Sequence, residues 1–118
     1  MSRIQDMAKD LGQALGRTDE YQALRSAAEK VDDDRELVEL RNQLERLESE
    51  MVALLQSGRE PDQASRSRYE LLAQDLQVRP SYQRLVAAQA NFDKLLQKVN
   101  ETISAGIRDV AGSRIILP

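Results

Sequence analysis

The amino-acid sequence predicts an all-α protein, a helical bundle with two long antiparallel helices and shorter flanking helices. Aliphatic residues recur at three- and four-residue steps through most of the 118 residues, which is the period of an amphipathic helix. Ser, Thr and Asp stand where helices should begin, and Gly and Pro stand where they should stop or restart. No β-hairpin signal interrupts this pattern. We therefore expect residues 1–111 to form a single helical domain and residues 112–118 a short C-terminal tail.

The first two helices are predicted from their starting residues. Ser2 and Gln5 have the spacing of a capping box, in which each side chain meets the free backbone N–H of the other residue, and Gly16 suits the end of that helix. Thr18 is a good N-cap for the second helix. The apolar stripes follow as Ile4, Met7, Ala8, Leu11 and Leu15 in the first helix, and as Tyr21, Leu24, Ala28 and Val31 in the second.

The third helix has the most regular pattern and is predicted from Asp34 to about Ser57. Asp33 and Glu36 repeat the capping-box spacing at its start, and Gly58 breaks the chain after its end. The alternation of three- and four-residue steps produces a narrow apolar seam for a neighbouring helix. This seam consists of Leu37, Leu40, Leu44, Leu47, Met51 and Leu54. A weaker helix is expected over residues 62–77, with Tyr69, Leu72 and Leu76 facing inward.

Pro80 opens the last and longest predicted helix, because proline fits a first helical turn, and the pattern continues to about Ala111. At about 1.5 Å per residue this helix spans roughly 47 Å, and the third spans roughly 36 Å. The two are natural antiparallel partners, but the last helix should extend beyond its partner by about two turns. We expect the first helix or another polypeptide to cover that end.

The stripe of the last helix is the predicted partner interface, made of Leu85, Gln89, Phe92, Leu96, Val99, Ile103 and Val110. Gln89 is the polar member, and two interpretations remain open. It can be buried and fix the register of the helices, or it can lie at the edge and reach water. The apolar run Ile115–Leu117 in the tail can fold back on the bundle or bind a partner, and the sequence does not decide between these.

Composition excludes several kinds of chemistry. The chain has no Cys and no His, so disulfides, thiolate zinc sites, cysteine nucleophiles and histidine acid–base catalysis are absent. Asp32, Asp33 and Asp34 form the one acidic cluster, which we interpret as a helix-capping loop. We expect exposed ion pairs along the third helix, Arg41 with Glu45 and Arg46 with Glu50. The sequence therefore predicts a protein that is not an enzyme and that has no cofactor and no metal site, although a metal-dependent enzyme using carboxylates alone stays an alternative.

The charge balance argues against direct nucleic-acid binding. Lys and Arg number 17 against 20 Asp and Glu, a net charge of -3, whereas nucleic-acid-binding proteins usually have a basic excess. The basic side chains of the loop region leave an RNA-binding adaptor as an alternative, through Arg59, Arg66, Arg68 and Arg79. The N-terminus lacks the apolar core of a signal peptide, and no apolar run of about 18 residues could cross a membrane. We expect a cytoplasmic protein without membrane insertion.

Three stretches in order resemble the YlbF/YmcA family of small helical bacterial regulators. They are "TDEY" from Thr18, "DDDRELVEL" from Asp32, and "RPSYQRLVAAQANFDKLLQKV" from Arg79, within a resemblance that covers residues 4–108. The resemblance implies a cytoplasmic protein that acts through protein–protein contacts, with itself or a paralogue as partner. Family members regulate competence, sporulation and biofilm formation, and some affect RNA processing through the endonuclease RNase Y, so a ribonuclease is a further expected partner. Certain members carry cysteines linked to an iron–sulfur cluster, which this chain lacks.

Overall fold

The computed structural model describes residues 2–112 and confirms the all-α class. Five helices follow one another, with no strand in the described range. They are α1 (Arg3–Gly16), α2 (Asp19–Asp33), α3 (Arg35–Gln56), α4 (Gln63–Gln77) and α5 (Pro80–Ala111). The predicted bounds of the last helix agree with α5, and those of the third helix differ from α3 by one residue at each end. The Ile115–Leu117 run lies outside the described residues.

The helix starts are set by side chains that accept hydrogen bonds from free backbone N–H groups. The Ser2–Gln5 capping box is confirmed, with both of its hydrogen bonds present. The hydroxyl of Thr18 accepts a hydrogen bond from the N–H of Tyr21, 3.1 Å away, as predicted for an N-cap. At α3 the prediction is wrong by one residue. The N-cap is Asp34, whose carboxylate accepts from the N–H of Leu37 at 3.2 Å, while Asp33 is the last residue of α2.

Two further positions shape the connection between α3 and α4. Gly58 has a φ of 79°, the left-handed conformation that favours glycine because it has no Cβ. Asp62 then caps α4, and its carboxylate accepts a hydrogen bond from the N–H of Ser65 at 2.7 Å. That backbone hydrogen bond, with one from the Ser65 side chain, lowers the pKa of the Asp62 carboxyl group. The predicted break between the two helices is therefore built from a left-handed glycine and a new N-cap.

The described contacts group into two compact units. The larger core belongs to the unit of residues 25–86, where α3 packs against α4. Its buried cluster is Val31, Leu37, Leu40, Leu44 and Leu76, surrounded by the partly buried Tyr69, Leu72, Ala73, Tyr82 and Leu85. The α3 seam is thus the core of this unit, with Met51 and Leu54 only half-buried at its end.

The neighbour of α3 differs from the one expected. The sequence predicts α3 and α5 as antiparallel partners along their lengths, and the structure does not confirm this pairing. Within residues 25–86, α3 packs along α4, and α5 supplies only Tyr82 and Leu85 to the edge of the core. The connection from α3 to α4, between Gln56 and Gln63, is short, and consecutive helices joined in this way are usually neighbours in space.

The other unit contains α1, the first residues of α2 up to Leu24, and α5 from Ala87 onward. Ala88 is its one buried side chain among the described residues. The rings of Tyr21 and Phe92 meet here with centroids 5.4 Å apart and planes tilted by 59°, an edge-oriented aromatic contact. The prediction of a single domain over residues 1–111 stays a prediction.

Candidate protein–protein interface

The seven predicted interface residues fall into three environments along α5. Leu85 is half-buried and packs on the α3–α4 core, so it belongs to the fold. Phe92 is half-buried with its ring against Tyr21, and Leu96 and Val99 are also half-buried. Ile103 is half-exposed and Val110 almost fully exposed. Among these predicted residues, the exposed apolar side chains therefore lie on the C-terminal half of α5.

Gln89 lies on the surface of the chain. Its Nε2 donates a hydrogen bond to Asp93 Oδ1 at 3.0 Å, one helical turn further along α5. Of the two interpretations that the sequence leaves open, the described chain shows the second, in which this side chain reaches water. Its amide group is satisfied without a buried partner.

Sequence reasoning missed part of this surface. Ile107, one turn after Ile103, is half-exposed and lies on the same side of α5. Ile4, Met7 and Leu11 of α1 are exposed too, and α1 has no buried residue. The spacing of these residues was visible as an ordinary amphipathic stripe. What the sequence could not show is that Ile4, Met7, Leu11 and Ile107 remain exposed in the described chain.

The arginines of the alternative RNA-binding site are partly neutralised within the chain. Arg66 Nη2 lies 3.5 Å from Glu60 Oε2. Arg79 lies 3.0 Å from a carboxylate oxygen of Glu36 and 3.4 Å from one of Asp75. The hydrogen bond to Glu36, followed by that to Asp75, raises the pKa of Arg79 above its ordinary value. Two of the four arginines are therefore already engaged by acidic side chains.

The acidic cluster is used for capping and for ion pairing. Asp34 caps α3, and Asp32 lies 3.6 Å from Arg41. The predicted Arg41–Glu45 pair is wrong, because Arg41 reaches back to the end of α2. Over residues 2–112, no group of three or more acidic side chains is arranged to hold a metal ion.

The second predicted ion pair of α3, Arg46 with Glu50, is also wrong. Arg46 Nη2 lies 3.7 Å from Glu39 Oε1, two turns earlier on the same helix. Both side chains are largely exposed, so this pair contributes little to the free energy of folding.

No membrane-spanning helix is found within residues 2–112. None of the helices in that range combines the length and the hydropathy needed to cross a lipid bilayer.

Comparison with known proteins places these features in a family. Residues 4–108 match the family described as "Control of competence regulator ComK, YlbF/YmcA". The chain is 26% identical to a UPF0342 protein of Lactobacillus acidophilus over 110 residues, 93% of this chain and 95% of the relative. It is 27% identical to a UPF0342 protein of Oenococcus oeni over 110 residues, covering 93% and 96%. A UPF0342 protein of Streptococcus mutans is 23% identical over 108 residues, covering 92% and 96%. With nearly its whole length matched, the chain belongs to the YlbF/YmcA family.

Proposed function

We propose that this protein is a non-enzymatic regulator or adaptor that acts through helix-mediated protein–protein contacts. The description of its family, control of a competence regulator, supports a regulatory role. The observation that carries the contact mechanism is the row Ile103, Ile107 and Val110, large apolar side chains left exposed on one continuous helix. Contiguous apolar patches on a protein surface commonly mark an interaction site.

The energetics favour binding through this row. Fully burying an Ile or Val side chain contributes about 1.5–3 kcal/mol. Ile103 and Ile107 are about half-exposed, so about half of this burial free energy is still available when a partner covers them. Val110 is almost fully exposed, so most of it is available there. Ion pairs at the surface contribute about 0–1 kcal/mol each, so apolar burial dominates any contact made here.

The partner in this proposal is the protein itself or a paralogue, with a ribonuclease as a further partner. The processes are those of the family it resembles, namely competence, sporulation, biofilm formation and RNase Y-dependent RNA processing. The place of action is the cytoplasm.

Replacing Ile103 by Asp tests the proposal. A charged group on the apolar row must lose its hydration when a partner covers it, which is costly. We expect Ile103→Asp to lower both the mass measured by light scattering and the melting temperature. Leu71→Asp on α4 is the matched control, because Leu71 is a 67% exposed leucine in the other unit. Unchanged mass in Ile103→Asp, at a concentration where the wild-type protein associates, would show that this end of α5 is not the contact.

The RNA-binding alternative uses Arg59, Arg66, Arg68 and Arg79. Of these, Arg59 and Arg68 have no ion pair among the described residues. It predicts a mobility shift with RNA that weakens steeply with salt and is lost in the Arg59→Ala and Arg68→Ala double variant. The alternative of an enzyme that uses carboxylates predicts heat on metal titration above background.

A further inference from the structure

A groove opens beside the α3–α4 core and is lined by two aromatic rings. Its floor is aliphatic, because Leu44 and Leu76 are buried there and Ala73 is half-buried. Tyr69 of α4 and Tyr82 of α5 line its sides, and both are half-buried and packed on the core. We call this cavity the tyrosine groove. Its remaining lining residues are the exposed Glu45, Glu48 and Gln77.

The size of the tyrosine groove suits the end of one side chain. Its volume is about 260 Å³, which lies below the roughly 300–1,000 Å³ of pockets that hold small organic ligands. Aromatic rings attract cations through their electron-rich faces. The groove is therefore dimensioned for a single cationic group that enters from outside.

The charge of the groove is negative and is not balanced by the described residues. Glu45 and Glu48 lie one turn apart on α3, and neither has an ion pair within the part of the chain that the structure describes. The arginines of α3 nearest to them in sequence are engaged elsewhere. Arg41 lies 3.6 Å from Asp32, and Arg46 lies 3.7 Å from an acidic side chain two turns earlier. Two negative charges beside two tyrosine rings are complementary to a cation.

Arginine is the cation that matches both features of the groove. Its planar guanidinium group stacks on aromatic rings and donates two parallel hydrogen bonds to a carboxylate. A lysine ammonium group is a strongly hydrated point charge that lacks the planar stacking. Arginine is also enriched among the residues that dominate protein–protein contacts. The occupant that fits is therefore an arginine carried by another polypeptide.

We infer that the tyrosine groove binds an arginine side chain of a partner polypeptide, which stacks on the tyrosine rings and pairs with the carboxylates of Glu45 and Glu48. The groove lies within residues 25–86, whereas the apolar row of the proposed function begins at Ile103 in the other unit. The inference goes beyond the proposed function by adding a second contact, and each of the two contacts can fail alone.

Tyrosine NMR signals test the inference in the full chain, which has three Tyr. The protein is labelled with ¹³C-tyrosine, and Tyr69→Phe and Tyr82→Phe assign the two signals of the groove. The probe is a short acetylated and amidated peptide with one arginine between alanines, beside versions with lysine and with neutral citrulline. We expect the arginine peptide to shift both signals in a saturable way and to leave Tyr21, whose ring lies against Phe92 in the other unit, unchanged. The lysine peptide should bind several-fold more weakly, and the citrulline peptide should give no saturable shift.

Glu48→Gln and Glu50→Gln form a matched pair, because each removes one negative charge from an exposed position of α3. Side chains two residues apart on a helix point to nearly opposite sides, and Glu50 does not line the groove. At about 0.15 M salt, charges more than about 8 Å from the bound cation are largely screened. We expect Glu48→Gln to weaken binding of the arginine peptide by about two- to fivefold, the range of an exposed ion pair. Glu50→Gln should leave the dissociation constant unchanged, and both variants should keep the wild-type melting temperature.

The inference is overturned if the arginine peptide gives no saturable shift of the two groove signals, or if the lysine peptide binds equally well. Equal weakening by Glu48→Gln and Glu50→Gln, or shifts of all three tyrosines, would show attraction by overall charge and would also overturn it. Saturating shifts with spermidine at lower concentration than with the arginine peptide would make the occupant a polyamine instead. Shifts of the groove signals on dilution of the protein alone would make it a second copy, again against the inference. None of these outcomes changes the Ile103→Asp test of the proposed function.

Discussion

Leu37 has no exposed surface and lies at the centre of the α3–α4 core, so replacing it by Ala should damage the fold strongly. The change removes buried methyl and methylene groups and leaves a cavity between Val31, Leu40, Leu44 and Leu76. Leu-to-Ala substitutions in well-packed cores cost about 2.7–5.0 kcal/mol, and the larger costs belong to sites that cannot collapse. The main chain of Leu37 is held by the Asp34 cap, which limits collapse here.

We therefore expect Leu37→Ala to lower the free energy of unfolding by about 3 kcal/mol. With a urea slope of about 1.5 kcal/mol per molar, the midpoint should fall by about 2 M. Urea titration followed by circular dichroism at 222 nm measures this, at one protein concentration for all variants because association contributes to apparent stability.

Leu71→Ala is the matched control, since most of that side chain is already in water. Its expected cost is below about 1 kcal/mol, because only the buried third of the side chain contributes transfer free energy. Equal midpoints for the two variants would refute the assignment of Leu37 to the centre of the core.

Four further substitutions test the local structure by the same unfolding measurement. Asp34→Ala should lower the free energy of unfolding by about 1 kcal/mol because it removes the N-cap of α3, while Asp33→Ala should change it little. A larger loss for Asp33→Ala than for Asp34→Ala would identify Asp33 as the N-cap. Gly12→Ala should stabilise by about 0.5–1 kcal/mol, since a Cβ there meets no atom within 4 Å and α1 gains helix propensity. Gly58→Ala should instead destabilise by about 1 kcal/mol, because its φ of 79° strains an alanine, and a neutral result would argue against the left-handed turn.

The helix boundaries were predictable because local signals fix them. The Ser2–Gln5 box, the Thr18 cap and the first-turn Pro80 each act within one turn of the residue that carries them. The choice of Asp33 over Asp34 failed because three aspartates in a row offer the same side chain at each position. Only the backbone conformation distinguishes them, and Asp34 is the extended residue.

The partner of α3 could not be predicted from the same signals. A seam such as Leu37, Leu40 and Leu44 specifies that a helix is covered and leaves open which helix covers it. The pattern of α5 has the same limit, and the predicted interface stays a prediction. Leu85 and Ile103 occupy equivalent positions in the pattern of α5, yet one packs on the core and the other is half-exposed. The two residues differ in their place along α5, because Leu85 lies near its start and Ile103 lies about five turns later.

The lack of any buried side chain in α1 leaves this segment with little tertiary restraint. The capping box at Ser2 holds the first turn, and beyond it little packing opposes fraying of the helix. A protease that cuts exposed backbone should therefore cleave near Lys9 before it cleaves within the α3–α4 core.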